Sequence, residues 1–117
     1  MIRELSQHIR LLPVGQTVTD AVDLMSLESF TLDIQPESDD DGTFWKLERT
    51  ITVEEPDATA LRLFRTATPC LIQLWDHTGA TYHIGSRGIP AHAILSPYLN
   101  NACLAIRAEM TANPLER

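Results

Sequence analysis

The chain has 117 residues, of which 44% are hydrophobic and 21% charged, and a formal net charge of −7. This length and composition allow one compact domain with a real core, while the excess of acids disfavours binding to nucleic acid or to an anionic membrane surface. No apolar run is long enough to span a membrane, and residues 1–5 lack the pattern of a secretory signal, so we expect a cytoplasmic or virion protein.

The negative charge is concentrated in the middle of the chain. Residues 28–57 contain ten acidic residues against two basic ones, whereas residues 58–117 contain five basic residues against three acidic ones. An acidic element of this kind can be a solvated hairpin. It can also contact the basic half of a second copy in a head-to-tail assembly. The composition leaves both interpretations open.

The N-terminal segment, residues 1–27, is ambiguous. Apolar residues recur at helical spacing over residues 2–12, which predicts a short amphipathic helix, but residues 8–14 also fit a strand. Asp20 can cap a brief helical segment over residues 21–27. We therefore expect a short helical N-terminal segment, and the sequence leaves open whether this segment adds a strand instead.

Residues 28–55 alternate between apolar and polar side chains, the pattern of half-buried strands. Pro36 to Gly42 interrupts the alternation and predicts an acidic loop. The segment is thus expected to form an antiparallel hairpin with an acidic tip. Its predicted inward-facing residues are Phe30, Leu32, Ile34, Trp45, Leu47, Ile51 and Val53.

A single main helix is predicted over residues 57–67. Asp57 follows a proline and is a good N-cap, and Thr68-Pro69 ends the helix because the residue before a proline avoids the α region. Ala60, Leu61, Phe64 and Ala67 form its apolar stripe.

A second hairpin is predicted over residues 70–86, with a three-residue turn that ends at Gly79 in the left-handed conformation. This register puts Trp75 and His83 on the more polar face. Residues 87–102 read as a long loop with one helical turn at 91–95, and residues 103–111 as the last strand. The whole chain then forms a single α+β domain, with one main helix packed on a mainly antiparallel sheet of about five strands.

The acidic tip resembles a calcium-binding loop in its spacing. Glu37, Asp39, Asp41 and Glu48 occupy ligand positions of an EF-hand, with a glycine at the sixth position. An EF-hand places helices on both sides of its loop, whereas strands are predicted here. We therefore expect no metal site, and these four residues remain a weak candidate.

Other arrangements that carry chemistry are not evident. The four histidines and two cysteines lack zinc-ligand spacing, and the cysteines read as reduced thiols. Ser86 lacks the strand–turn–helix setting of a catalytic serine. Arg87, between two glycines, can contact an anion or a partner carboxylate. No cofactor and no enzymatic activity are expected.

The segments Leu71 to Gly79 and Tyr82 to Ser86, with the last strand before Asn113-Pro114, resemble small virion proteins encoded in bacterial prophages, of the head–tail joining or tail type. The resemblance implies a non-catalytic assembly protein that contacts itself or other assembly proteins, without direct nucleic-acid or membrane binding. The alternative is an α+β domain that binds a small molecule between helix and sheet. The candidate partner contacts are Asp39, Asp40, Asp41, Trp75, His83 and Arg87.

Overall fold

A computed structural model describes residues 3–14, 21–32, 34–39, 42–86 and 88–110 of the chain. The described residues form the strands β1 (Arg3–Pro13), β2 (Val22–Met25), β3 (Phe30–Leu32), β4 (Gln35–Asp39), β5 (Gly42–Glu54), β6 (Thr68–Asp76), β7 (Thr81–Ile84), β8 (Ala91–Tyr98) and β9 (Asn101–Met110), and the helix α1 (Ala58–Leu63). The strands pair antiparallel in the order β2-β1-β6-β8-β9-β5-β4, while β3 also pairs with β1 and β7 with β6. The fold is mainly antiparallel β, so the predicted α+β class is wrong.

The sheet curves until its two sides meet. Ser26, just after β2, forms a bridge with Val53 of β5, and Leu27 N donates to Thr52 O at 3.1 Å. Gln7 on β1 holds the same junction, because its Nε2 donates to the carbonyls of Ser26 and Leu27 at 3.2 and 3.0 Å. This junction closes the sheet into a barrel.

The barrel interior is the hydrophobic core. Along β9 the buried residues Leu104, Ile106 and Ala108 alternate with more exposed ones, as the period of a strand requires. The matching positions of β6, Ile72 and Leu74, are fully buried. The exposed positions of these strands form the outer surface, on which any contact with a partner has to be made.

Helix α1 connects β5 to β6 and covers an open edge of β8. The Asp57 side chain accepts a hydrogen bond from Ala60 N at 2.8 Å, which confirms the predicted N-cap. The helix ends at Leu63, earlier than the predicted residue 67, because Phe64 leaves helical geometry with φ −109°. Leu95 N of β8 donates to Phe64 O at 2.8 Å.

The N-terminal segment contributes strands where helices were predicted. Residues 2–12 were expected to be helical, yet β1 extends from Arg3 to Pro13 and pairs with β2, β3 and β6. Residues 21–27 were also expected to be helical, and β2 lies there instead. A segment this short satisfies two periodicities equally well, and the hydrogen bonds offered by neighbouring strands decide between them.

The acidic hairpin is built from different strands than predicted. β3, the middle of the predicted first strand, pairs with β1, whereas β4 pairs with β5 in the register Gln35↔Lys46 to Asp39↔Gly42. The predicted loop from Pro36 onward is therefore partly strand. Proline is tolerated there because β4 is the last strand on its side of the sheet.

The predicted loop over residues 87–102 contains strand β8, so the helical turn at 91–95 is also wrong. Ala91, Ala93 and Leu95 are buried and alternate with more exposed residues, but small alanines and two flanking prolines hide that alternation in the sequence. Leu95 directs its N–H toward α1, away from β9. Pro97 lies two residues further on and faces the same unpaired edge, so its missing N–H breaks no bond of the ladder.

Candidate functional site

The β6–β7 hairpin presents Trp75 and His83 on the outer surface, as predicted. Its register is Trp75↔Thr81 and Gln73↔His83, and Gly79 has φ 91°, which confirms the three-residue turn. His83 is exposed and Trp75 is half-buried. The two side chains lie on one face but on different cross-strand pairs.

Asp76 holds the turn of this hairpin together. Its Oδ1 accepts hydrogen bonds from Thr78 Oγ1 at 2.6 Å, Thr78 N at 2.9 Å and Ala80 N at 3.0 Å, and its Oδ2 accepts one from the Tyr82 hydroxyl at 2.8 Å. The bond from the Thr78 side chain, supported by the others, holds the pKa of Asp76 well below its ordinary value. This carboxylate is occupied by the turn, which makes it a structural group.

Trp75 is partly covered by the N-terminal strand. The imidazole of His8 stacks on its indole, and the Arg10 guanidinium carbon lies 5.8 Å from the ring centroid. His8 Nε2 and Arg10 Nε both lie 2.8 Å from Asp23 Oδ1. The hydrogen bond from Arg10 lowers the pKa of Asp23. We call His8, Arg10, Asp23 and Trp75 the aromatic cluster; its polar groups are paired with one another.

The turn between β8 and β9 carries the most exposed apolar side chains in the described part of the chain. Tyr98 is 62% exposed and Leu99 is 87% exposed. Leu99 has φ 51°, a left-handed conformation that costs a residue with a Cβ about 1 kcal/mol or more. We call Tyr98, Leu99 and Asn100 the β8–β9 tip. The tip lies in the long loop, residues 85–101, that the sequence suggests as a contact region, although the pattern does not single out these three residues.

An open groove crosses the outer faces of β8, β9 and β5. Its volume is about 320 Å³, and we call it the Arg107 groove. Half-buried Ile94 and Ala105 lie at its floor, and the adjacent cross-strand row is His92, Arg107 and Glu48. The sequence pattern does not predict this groove, because it places the residues of β8 in a long loop.

The predicted acidic ligands do not form a described metal centre. Asp40 and Asp41 lie outside the described residues, and only the backbone of Glu37 and Asp39 is described. Glu48 lies on the exposed face of β5, 3.9 Å from Lys46 Nζ. Among the described residues no group of three or more histidine, cysteine or acidic side chains is placed to hold a metal ion.

The segment after β7 forms a tight turn. Ser86 N donates to Ile89 O at 3.0 Å, and Ile89 N donates to Ser86 Oγ at 3.1 Å. Gly85 has φ 84°, and a Cβ there would lie 2.6 Å from Ala91 N. The Ser86 hydroxyl is thus used in the turn, while Arg87 lies outside the described residues.

The interface between α1 and the sheet, where a small-molecule pocket was hypothesised, is occupied by side chains. Phe64 is fully buried and Ala60 is 4% exposed. Cys70 is also fully buried, and burial raises the pKa of its thiol to about 12. No helix in the described part of the chain is long and apolar enough to cross a membrane.

Comparisons with protein-family models, with curated proteins and with solved structures found no match to this chain. The candidate surfaces are therefore judged on geometry and chemistry alone.

Proposed function

We propose that this chain is a non-catalytic assembly protein that acts through surface contacts with copies of itself or with other structural proteins. In this proposal it is a component of a virion, of the head–tail connection or tail type, made in the cytoplasm of a bacterial host. It requires no cofactor and does not bind nucleic acid directly.

The β8–β9 tip is the observation that carries the proposal. A two-residue turn in left-handed geometry normally uses glycine or asparagine at its first position, and here that position holds a leucine. Leu99 thus bears a backbone cost and exposes a large apolar side chain to water. Burial of this side chain against a partner offsets both costs, and aromatic residues such as Tyr98 are enriched in the centres of protein interfaces.

The remaining described side chains support a contact role. The Asp76 carboxylate, the Ser86 hydroxyl and the aromatic cluster are each engaged in local hydrogen bonds. A catalytic site requires titratable groups that converge in a cleft. The surfaces described above offer exposed apolar and charged groups on a rigid barrel instead.

Sedimentation velocity from micromolar to millimolar concentration tests the proposal. We expect the wild type to form concentration-dependent oligomers, and Leu99→Gly to weaken association about tenfold or more. The same variant relieves the left-handed strain, so its unfolding free energy should rise by about 1 kcal/mol.

Two further variants sharpen this test. Leu99→Asn, which tolerates the left-handed region, should also weaken association, whereas Met25→Ala, an exposed apolar side chain on β2, should not. A wild type that stays monomeric at every concentration would overturn the proposal. So would an Leu99→Gly variant that associates as strongly as the wild type.

A further inference from the structure

The Arg107 groove combines an apolar floor with an exposed arginine. On the outer face of β9, Ala105 lies between the larger residues Cys103 and Arg107. Its small side chain leaves room for the groove, and Ile94 on β8 lines the groove beside it. Arg107 is exposed beside this floor. Apolar area next to an arginine is the composition enriched in protein interfaces.

The charge of Arg107 is not balanced within the described part of the chain. Glu48 is its direct cross-strand neighbour on β5, yet the described residues place no carboxylate within ion-pair distance of the Arg107 guanidinium. The guanidinium fork therefore keeps its donors for an incoming carboxylate, which it can bind through two parallel hydrogen bonds.

The two sides of Arg107 differ in charge. In the row that crosses the three strands, His92 on β8 flanks Arg107 on one side and Glu48 on β5 flanks it on the other. A negatively charged occupant is repelled by Glu48, so the field of this row favours approach from the side of β8.

The chain itself contains an occupant with the complementary charge. Residues 37–41 read Glu-Ser-Asp-Asp-Asp; the first three belong to β4, and β5 begins at Gly42. Residues 42–44 of β5 pair with β4 and so belong to the hairpin.

We propose that the acidic end of the β4–β5 hairpin of one copy docks in the Arg107 groove of a second copy. The inference rests on the proposed assembly function and names a second pair of surfaces, besides the β8–β9 tip, through which copies join. Hairpin and groove are different surfaces of one chain, so the contact is head-to-tail and leaves a free hairpin and a free groove at the ends of every assembly.

A pair of charge-reversal variants tests this contact by sedimentation velocity at low and at physiological salt. Arg107→Glu reverses the charge of the groove and leaves the hairpin unchanged. A second variant, with Glu37→Lys, Asp39→Lys and Asp41→Lys, reverses the charge of the hairpin and leaves the groove unchanged. Each variant alone should associate at least about tenfold more weakly than the wild type. Mixed in equal amounts in a Leu99→Gly background, which removes the β8–β9 tip contact, the two should form a dimer and nothing larger, because only one intact contact remains.

Controls separate misfolding and general charge effects from loss of the contact. Arg107→Gln, which adds no negative charge opposite Glu48, should show a weaker loss of association with an unchanged circular dichroism spectrum. Arg62→Glu makes the same charge change on the exposed face of α1 and should associate like the wild type. High salt should weaken the wild-type contact, because it screens exposed charges.

The outcomes distinguish this inference from the proposed function. A wild type that never associates overturns both. A wild type that associates, together with Arg107→Glu and hairpin variants that associate equally well, overturns the head-to-tail contact and leaves the assembly function standing. Dimers formed by either variant alone in the Leu99→Gly background would likewise overturn it.

Discussion

His8 and Trp75 stack face to face, with ring centroids 4.4 Å apart and ring planes 6° from parallel. The contact joins the N-terminal strand β1 to the β6–β7 hairpin, and Asp23 of β2 holds the imidazole from the other side at 2.8 Å. Three strands of the barrel are therefore connected through one surface cluster. The sequence left Trp75 either covered by residues 1–27 or available to a partner, and in the structure His8 partly covers it.

Removal of the His8 ring should expose Trp75. In a Trp45→Phe background, where Trp75 is the remaining tryptophan, we expect His8→Ala to shift the fluorescence emission to longer wavelength and to increase acrylamide quenching. Loss of the stacked pair should lower the unfolding free energy by about 1 kcal/mol. Arg10→Gln keeps the stack and should change the spectrum less. An unchanged spectrum in His8→Ala would contradict the observed stacking.

The Asp76 turn should make stability depend on acid pH. Because its hydrogen bonds hold the pKa of Asp76 below its ordinary value of 3.8, the folded state favours the charged carboxylate. This contribution is complete above the unfolded-state pKa and is lost as the pH falls through the lower folded-state value. Urea unfolding between about pH 2 and pH 7, a range that includes the pKa of a free aspartate at about 3.9, measures it.

The Asp76→Asn variant should be less stable than the wild type at neutral pH and should lose less stability as the pH falls. Thr78→Val removes the hydrogen bond from the Thr78 hydroxyl, which contributes most to the lowered pKa of Asp76. This variant should also lose less stability than the wild type as the pH falls, by a smaller margin than Asp76→Asn. Parallel pH profiles in the wild type and Asp76→Asn would show that this carboxylate does not carry the effect.

The two cysteines should react at very different rates. Cys70 is fully buried and its pKa is raised to about 12, whereas Cys103 is half-buried on the outer face of β9. The thiolate is the reactive form, so an aromatic disulfide reagent at mildly alkaline pH should modify Cys103 first and Cys70 on unfolding. Cys103→Ser should abolish the fast phase. Fast reaction in that variant would mean that Cys70 is accessible.

Local pattern was sufficient where a segment carries its own strong signal. β9 alternates over its ten residues and residues 50–54 of β5 alternate as well. The Asp57 cap follows directly from a proline and an aspartate before an apolar stripe. The turn at Gly79 was also predictable, because only one loop length keeps Ile72, Leu74, Tyr82 and Ile84 on the same face. In each case the deciding interactions lie within a few residues of one another.

Long-range pairing decided the rest. The helical pattern of residues 2–12 was overridden because strands on both sides of β1 offer it hydrogen bonds. For the same reason β3 is not part of the acidic hairpin, because it forms its hydrogen bonds with β1. β8 was hidden because small alanines carry little periodic signal, and its neighbours β6 and β9 come from distant parts of the chain.

By itself, the amino-acid sequence determined the helix cap at Asp57, the turn at Gly79 and the outward face of Trp75 and His83, because these follow from near-neighbour chemistry. Tertiary structure alone decided that the sheet closes through Ser26 and Val53, and that His8 is the residue of the N-terminal segment that covers Trp75. It also decided that no carboxylate of the described residues lies within ion-pair distance of Arg107. The physical reason is that a strand leaves half of its hydrogen bonds to partners that its own sequence does not specify. Where those partners lie determines which side chains meet on the outer surface, and that surface is where we propose the protein acts.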